Sequence, residues 1–324
     1  MSPRTQRVRV DGVLSDAVEV LSGVPQGSVL GPLLFIIYID TLSDGILDGL
    51  LSLFADDSRL GQSVICKDDV ASLQASLDVI HNWSLNWQLP LSPEKCEVMS
   101  FGGVLNETYY LGGSPLENVN KHRDLGITVC EDLSFSTHCA LIAAKGHQQA
   151  YLLRKCFTHS CAEALVQVFK TYVRPILEYN SAVWSPYLVS DIKKIENVQR
   201  RFTKYLPGMR GLLYAERLAA LSLESLLFRR RMTNLHICYL LVRGSPYQGD
   251  GPPLITCNTE LRTRGHRWRF DWRRANLNCR HNFFLLRTGR MWNSLPSFVV
   301  EAPNLKSFKS LLMEHSVEDK FKFC

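Results

Sequence analysis

The sequence contains no uninterrupted apolar stretch of membrane-spanning length. Of its 324 residues 46% are hydrophobic, yet the longest apolar run, Val29 to Ile39, is broken by Gly31-Pro32. That run falls well short of the ~20 residues a transmembrane helix needs. Met1-Ser2-Pro3-Arg4 leads into no apolar segment of the kind a secretory signal carries. The ten cysteines lack the paired spacing of a disulfide framework, which points to a reducing compartment. Cys156, His159 and Cys161 lie close together, as do His138 and Cys139, but neither group has a second half at zinc-knuckle spacing. No internal repeat is visible. These absences set aside a membrane span, a secreted disulfide scaffold and a solenoid, and predict a soluble, intracellular globular protein.

Acidic residues are also scarce, but only in the second part of the chain. Residues 1–130 hold 8 Lys and Arg against 16 Asp and Glu, whereas residues 131–324 hold 29 against 15. The formal net charge of +6 therefore hides a strong asymmetry. An acidic, metal-suited front and a basic rear suit a protein that acts on a polyanion, because Lys and Arg replace counterions on phosphates. Two halves of different isoelectric point with no such partner would look the same.

The residue pattern is mixed α and β to about residue 130 and helical beyond it. Arg7 to Val10 and Val13-Leu14 flank Asp11-Gly12, a tight-turn signal, and Val18 to Leu21 resumes the extended pattern. Ser28 is placed to cap a helix running to about Leu42, whose apolar side, Leu30, Leu33, Leu34, Ile37 and Tyr38, is expected to pack against the strands around Asp56-Asp57. Leu50 to Phe54 and Ser58 to Leu60 read as short strands around Asp56-Asp57. Val70, Leu73, Leu77, Ile80, Trp83 and Trp87 recur at three- and four-residue steps and predict a helix over 68–88, with Gln74, Ser76, Asp78, His81 and Asn82 on its outer side. Cys96 to Phe101, Tyr109 to Leu111, Leu116 to Val119 and Asp124 to Val129 read as further strands. Helical stripes follow at Ala162–Val173, ended by Pro175, at Ile192–Tyr205 and over Leu218–Tyr239. Residues 244–253 are a Gly- and Pro-rich linker, and short helices are expected near 283–292 and 308–313.

Two segments point to chemistry. In a flat strand adjacent side chains face opposite ways, so Asp56 and Asp57 share a metal only if a tight hairpin turn delivers both to one end. Such hard oxygen ligands suit Mg²⁺, which pairs a few carboxylates with substrate phosphates. An isolated Asp-Asp pair is more often a solvated turn; the apolar residues Leu51, Leu53, Phe54 and Ala55 before it favour placement. Gly23 to Gly27 brackets Pro25-Gln26 with glycines, giving a backbone that can approach a ligand closely. Both motifs in this order and at this spacing are far more specific than either alone.

With these residues the chain resembles the reverse transcriptases of non-LTR (LINE) retrotransposons, of the jockey or CR1 type. The resemblance continues through Trp83 to Trp87, Pro93 to Cys96, Lys121 to Ile127, Val173 to Tyr179, Trp184-Ser185-Pro186, Val198 to Phe202 and Trp292 to Pro296. It implies an α+β partial polymerase palm (an antiparallel sheet with helices) over 1–130, a helical thumb-like region over 131–243, and a linker with an Arg-rich helical tail over 244–324. By that resemblance Asp56 and Asp57 hold the catalytic Mg²⁺ (or Mn²⁺), and Lys95 lies near the triphosphate. Pro25, Gln26 and Gly27 contact template and nucleotide, and Leu125, Gly126 and Ile127 belong to a primer-grip-like region. An RNA template, a DNA primer and deoxynucleotides are the implied partners, with no membrane; the oligomeric state is left open.

The family's further catalytic aspartate belongs to a strand before the Pro-Gln-Gly loop. Asp11, Asp16 and Glu19 are the candidates there, and none sits in the aromatic-rich strand the family pattern supplies. The expectation is therefore an N-terminally truncated polymerase, without fingers and inactive alone. The alternative is a non-catalytic nucleic-acid-binding remnant; a telomerase or intron-maturase relative fits the later segments less well. Two basic features remain. Lys193, Lys194, Asn197, Arg200, Arg201 and Lys204 share one side of a helix and could track a phosphate backbone, or be a solvated face. Arg262, Arg264, Arg267, Arg269, Arg273 and Arg274 interleave with His266, Trp268, Phe270 and Trp272, a pattern suited to single strands unless the aromatics are tucked into a core.

Overall fold

A computed structural model of the chain describes residues 4–20, 23, 27–46, 48–102, 107–158, 160–243, 266–270 and 275–316. It divides into two compact units, Met1–Val119 and Asn120–Cys324.

The first unit opens with nested hairpins. β1 (Arg4–Gln6) pairs antiparallel with β4 (Val18–Val20), and β2 (Arg9–Val10) pairs with β3 (Val13–Leu14). Asp11 and Gly12 close the inner hairpin with φ of 48° and 87°. Both central residues are thus left-handed, as a two-residue turn matching strand twist requires. Helix α1 (Gly31–Ile39) follows, then a 3-10 turn over Asp40–Ser43. The helix starts two residues later than Ser28 as N-cap implies, because Pro32 fits the first turn, where a missing N–H costs nothing. Ser28 still contributes: its Oγ accepts the Gly31 N–H at 3.0 Å.

β5 (Leu50–Phe54) and β6 (Asp57–Gly61) form the next hairpin, and α2 (Lys67–Asn86) is the long helix of the unit. The apolar stripe of α2 divides between two small cores. Ile80 and Trp83 pack with Phe35, Ile39, Leu42, Leu51 and Leu60. Val70, Leu73 and Leu77 pack with Tyr109, Leu111 and Leu116. Two residues assigned to the outer side of α2 are structural instead. Ser76 is buried, its hydroxyl donating to the Ser72 carbonyl, and Gln74 exchanges two 2.9 Å hydrogen bonds with the Tyr110 backbone. A 3-10 turn (Pro93–Lys95) then leads to β7 (Glu97–Val98), β8 (Tyr110–Leu111), β9 (Ser114–Pro115) and β10 (Glu117–Asn118).

The expected antiparallel palm sheet is not formed among the described residues. All strands lie in two-stranded sheets, and β7 pairs with β10 in parallel. The strands are too short, and too often interrupted by glycine turns, to share one ladder.

The second unit begins with β11 (Lys121–Asp124) and β12 (Ile127–Cys130), an antiparallel hairpin. Helices follow: α3 (Ser136–Cys156), α4 (Ala162–Tyr172), α5 (Arg174–Glu178), α6 (Ser181–Trp184), α7 (Val189–Lys204), α8 (Tyr214–Ala220), α9 (Leu226–Val242), α10 (Asn278–His281), α11 (Phe284–Asn293), α12 (Ser297–Val300) and α13 (Leu305–His315). Val173 ends α4 and Pro175 opens α5, as the sequence implies. One core joins α3, α4, α5, α7 and α8 through residues such as Phe169, Leu177, Val198 and Phe202. A second joins α9, α11 and α13 around Trp292 and Phe308.

Some buried polar groups in this unit are paired in ways the sequence does not announce, whereas the three Arg230 side-chain nitrogens have no hydrogen-bond partner among the described residues. Glu196 is fully buried on α7, where its carboxylate accepts from the Tyr214 hydroxyl at 2.6 Å and from the Leu226 and Leu227 amides at 3.1 Å. It therefore caps the N-terminus of α9, where a negative group opposes the positive end of the helix dipole. Arg287 of α11 donates to the Ala182 and Ser185 carbonyls and ties α6 to α11. Burial beside Arg230 holds its pKa down, at about 10.

Candidate functional site

The register of the β5–β6 hairpin fixes where the two aspartates stand. Leu51 opposes Leu60, and both pack into the small core with α1 and α2. Since faces alternate along a strand, Phe54, opposite Asp57, lies on the other face with Arg59. Only Ala55 and Asp56 form the loop, and Ala55 adopts φ of 52°. A left-handed conformation costs a non-glycine residue roughly 1–2 kcal/mol, so the surrounding ladder holds it there. Asp56 thus sits at the apex and Asp57 is the first residue of the returning strand. Both are exposed, and neither side-chain carboxylate forms a hydrogen bond or ion pair with the described residues.

The apolar strand β5 delivers the carboxylates to the hairpin end, as anticipated, but the helix packing differs from expectation. Leu30, Leu33, Leu34, Ile37 and Tyr38 were the expected contact face of α1; the first four are exposed, and Phe35 and Ile39 pack with the hairpin. Of the five only the part-exposed Tyr38 makes a contact, its hydroxyl donating to the Trp87 carbonyl and its ring meeting Trp83 and Trp87 edge-on. Gly27 precedes α1 with φ of 81° and open space around it, a backbone that favours glycine. Pro25 and Gln26 lie outside the described residues. Lys95 ends the 3-10 turn and is exposed.

Leu125 and Gly126 are not strand residues. With φ of 43° and 85° they form the turn between β11 and β12, while Ile127 is buried in the core of the second unit. A leucine at a left-handed position is not a turn signal, so the sequence suggested one continuous strand.

The basic side of α7 is only partly free. Lys194 pairs with the buried Asp191 at 2.8 Å, and Arg200 lies over the Tyr214 ring at 4.9 Å. Lys193, Arg201 and Lys204 are exposed. Of the Arg–aromatic segment, Arg262, Arg264, Trp272, Arg273 and Arg274 lie outside the described residues. His266 and Phe270 are core residues: Phe270 stacks on Trp292 at 5.6 Å, and a ring nitrogen of His266 bonds the Trp292 carbonyl. Those two rings are not available to bases. His159 lies outside the described residues, and Cys156 and Cys161 are exposed. His138 is buried and takes the Thr128 N–H on Nδ1 at 3.2 Å, and Cys139 is buried with its pKa pushed up to about 12.

A cleft of about 610 Å³ opens at the far end of the same hairpin, lined by Leu50, Gly61, Gln62, Asp48, Asp68 and Asp69 among others. Two of its acids have structural work. Asp69 accepts the Ile65 and Cys66 amides, which hold its carboxyl below the usual range, and Asp48 accepts from Ser72. The ladder end bearing Asp56 and Asp57 is the opposite one. Nowhere among the described residues do three His, Cys, Asp or Glu side chains meet as a metal cage. No helix among them is long and apolar enough to cross a membrane.

The hairpin lies inside a stretch that resembles known proteins. Residues 5–129 match the family model described as reverse transcriptase (RNA-dependent DNA polymerase). This stretch is therefore a reverse transcriptase domain, combining helices with small sheets. It is homologous to the polymerases of non-LTR retrotransposons: the RNA-directed DNA polymerase from mobile element jockey of Drosophila melanogaster is 28% identical over 224 residues, 64% of this chain and 24% of that protein. The jockey polymerase of Drosophila funebris is 25% identical over 214 residues, 62% of this chain and 23% of its own length. The chain thus spans about a quarter of the length of the curated relatives it matches. No solved structure matches it.

Reverse transcriptases use divalent metals such as Mg²⁺, and the two carboxylates fit one in kind. They are hard oxygen donors, unpartnered and adjacent, and Mg²⁺ usually takes only one or two protein carboxylates, filling its shell with water and phosphate.

Proposed function

We propose that the chain serves RNA-directed DNA synthesis, with the Ala55–Asp57 turn as its metal-binding element. The carrying observation is the hairpin itself: an apolar strand ends in a strained alanine and two exposed, unpaired carboxylates. Strain of this kind is retained where surrounding structure demands it, often at functional sites. Asp56 and Asp57 would hold Mg²⁺, with Mn²⁺ as a substitute. The ions, when bound, stabilise the attacking and leaving oxygens of a phosphoryl transfer. Gln26 and Gly27, with Pro25 limiting the loop, would shape the pocket for template and incoming deoxynucleotide. Lys95 would neutralise charge near the departing pyrophosphate, and Leu125, Gly126 and Ile127 would support the primer end. On α7, Lys193, Arg201 and Lys204, with Lys194 and Arg200 less free, would meet the nucleic-acid backbone.

A second reading is non-catalytic nucleic-acid binding. It draws support from the two-carboxylate count at the hairpin and from the basic excess of residues 131–324. Primer extension on an RNA template with Mg²⁺ or Mn²⁺ separates the two. Incorporation that Asp56→Asn abolishes establishes catalysis. Template-primer binding without incorporation favours the second reading. Incorporation indifferent to both Asp56→Asn and Asp57→Asn contradicts the site.

A further inference from the structure

Helices α3 and α7 lie side by side and run in the same direction. Ser136 bonds Asp191 near their starts, Gly146 meets Val198 midway, and Arg154 lies over Tyr205 near their ends. Over its 21 residues α3 carries no carboxylate, and the two on α7, Asp191 and Glu196, are buried. The exposed charges of the pair are therefore all positive: Lys145, Arg154 and Lys155 from α3, and Lys193, Lys194, Arg201 and Lys204 from α7. Two tyrosines stand among them. The Arg154 guanidinium stacks 3.6 Å from the centre of the Tyr205 ring, and Lys155 lies 4.9 Å from that of Tyr151. Tyr205 is nevertheless 62% exposed and Tyr151 51%. The guanidinium thus covers one face of the Tyr205 ring while most of the residue's surface stays exposed.

We propose that the C-terminal ends of α3 and α7 form a binding surface for single-stranded nucleic acid, with Tyr205 as a stacking platform and Arg154, Lys155, Arg201 and Lys204 as phosphate contacts. Aromatic rings accept any base through its π-face, and an adjacent cation neutralises the phosphate that follows. An apolar or acidic protein partner would leave the exposed rings or the uncompensated cations badly matched; a polyanion with flat apolar bases suits both. Arg154 also pre-orders the Tyr205 ring, which lowers the entropy lost on stacking. The surface rests on the nucleic-acid part of the function proposed above and is independent of its catalytic part.

Fluorescence anisotropy with labelled 20-nucleotide RNA, the same DNA sequence and an RNA–DNA duplex tests it on the full chain. Tyr205→Ala should weaken single-strand binding by about fivefold or more, since one stacked base is worth ~1–3 kcal/mol. Tyr205→Phe should bind as the parent does. Arg201→Ala and Lys155→Ala should each flatten the plot of log K against log salt by about 0.7, whereas Tyr205→Ala should leave its slope unchanged. Thermal melts of Tyr205→Ala and Tyr205→Phe check that both remain folded. Parental affinity in a folded Tyr205→Ala variant, or an equal loss on duplex and single strand, overturns the stacking platform. No salt-dependent binding by the parent overturns the surface altogether. Primer extension lost on Asp56→Asn while Tyr205→Ala is silent would leave the catalytic proposal standing and remove this one.

Discussion

At the scale of single residues, the hairpin and the buried glutamate make opposite demands. Asp56 and Asp57 are exposed and unpartnered, so neither contributes to folding through a contact. Asp56→Asn and Asp57→Asn should each shift stability by no more than about 0.5 kcal/mol in a denaturant melt, as surface substitutions do. A larger loss would mean the carboxylates serve the fold and not a ligand. Glu196 carries the reverse burden. Removing it takes the acceptor away from the Tyr214 O–H, to which Gln199 still donates, and from two helix-end amides inside the core. Each buried group left unsatisfied costs ~1–3 kcal/mol. Glu196→Ala should therefore destabilise the second unit by at least about 3 kcal/mol, and a melt within 1 kcal/mol of the parent would contradict the cap. The aspartates were legible because acids at the end of an apolar strand are out of place. Glu196 was not, because a glutamate between apolar helix positions looks like any solvated residue until α8 and α9 fold over it.

At the scale of elements, the close approach of α3 and α7 depends on Gly146. A Cβ there would stand 2.8 Å from Leu177 Cδ2 and 3.3 Å from Val198 Cγ1, both on fully buried side chains. Gly146→Val should cost about 1–3 kcal/mol through overpacking, measured by urea unfolding. An unchanged midpoint would show that the seam is looser than described. Amphipathic elements were readable here. The stripe of α2 gave its boundaries nearly to the residue, and the charged side of α7 separates cleanly from Ile195, Val198 and Phe202. Elements without contrast were not. Helix α1 is Gly-Pro-Leu-Leu-Phe-Ile-Ile-Tyr-Ile, apolar on every side, so no period marks which face packs. Its core contacts are made by Phe35 and Ile39, and of the face assigned from the sequence only Tyr38 meets a partner, the Trp83 and Trp87 rings.

At the scale of the whole molecule, buried histidines tie stability to pH. The second unit holds His138, His147, His236 and His266, and burial holds all four pKa values below the ordinary 6.5; His236 falls to about 4, with Lys309 adding to the effect. A depressed histidine binds fewer protons in the native state than in the unfolded one. Its contribution is complete above pH 6.5 and is lost as pH falls from there toward 4, at up to about 1.4 kcal/mol per pH unit per group. Stability should therefore decline across that window, and His236→Gln should shallow the decline; a flat profile would contradict it. The division into a mixed front and a helical rear was legible from composition and periodicity. A continuous palm sheet was not delivered among the described residues, because their strands are short and join only in pairs.

The central claim, that the Ala55–Asp57 turn is a divalent-metal element of a reverse transcriptase domain, is tested most directly by Mn²⁺ titration with NMR detection. Paramagnetic broadening should be strongest at the amides of residues 54–58 and should disappear in the Asp56→Asn, Asp57→Asn double variant while its spectrum stays otherwise native. Broadening centred on the Asp48, Asp68 and Asp69 cleft instead, or undiminished in the double variant, would contradict the account.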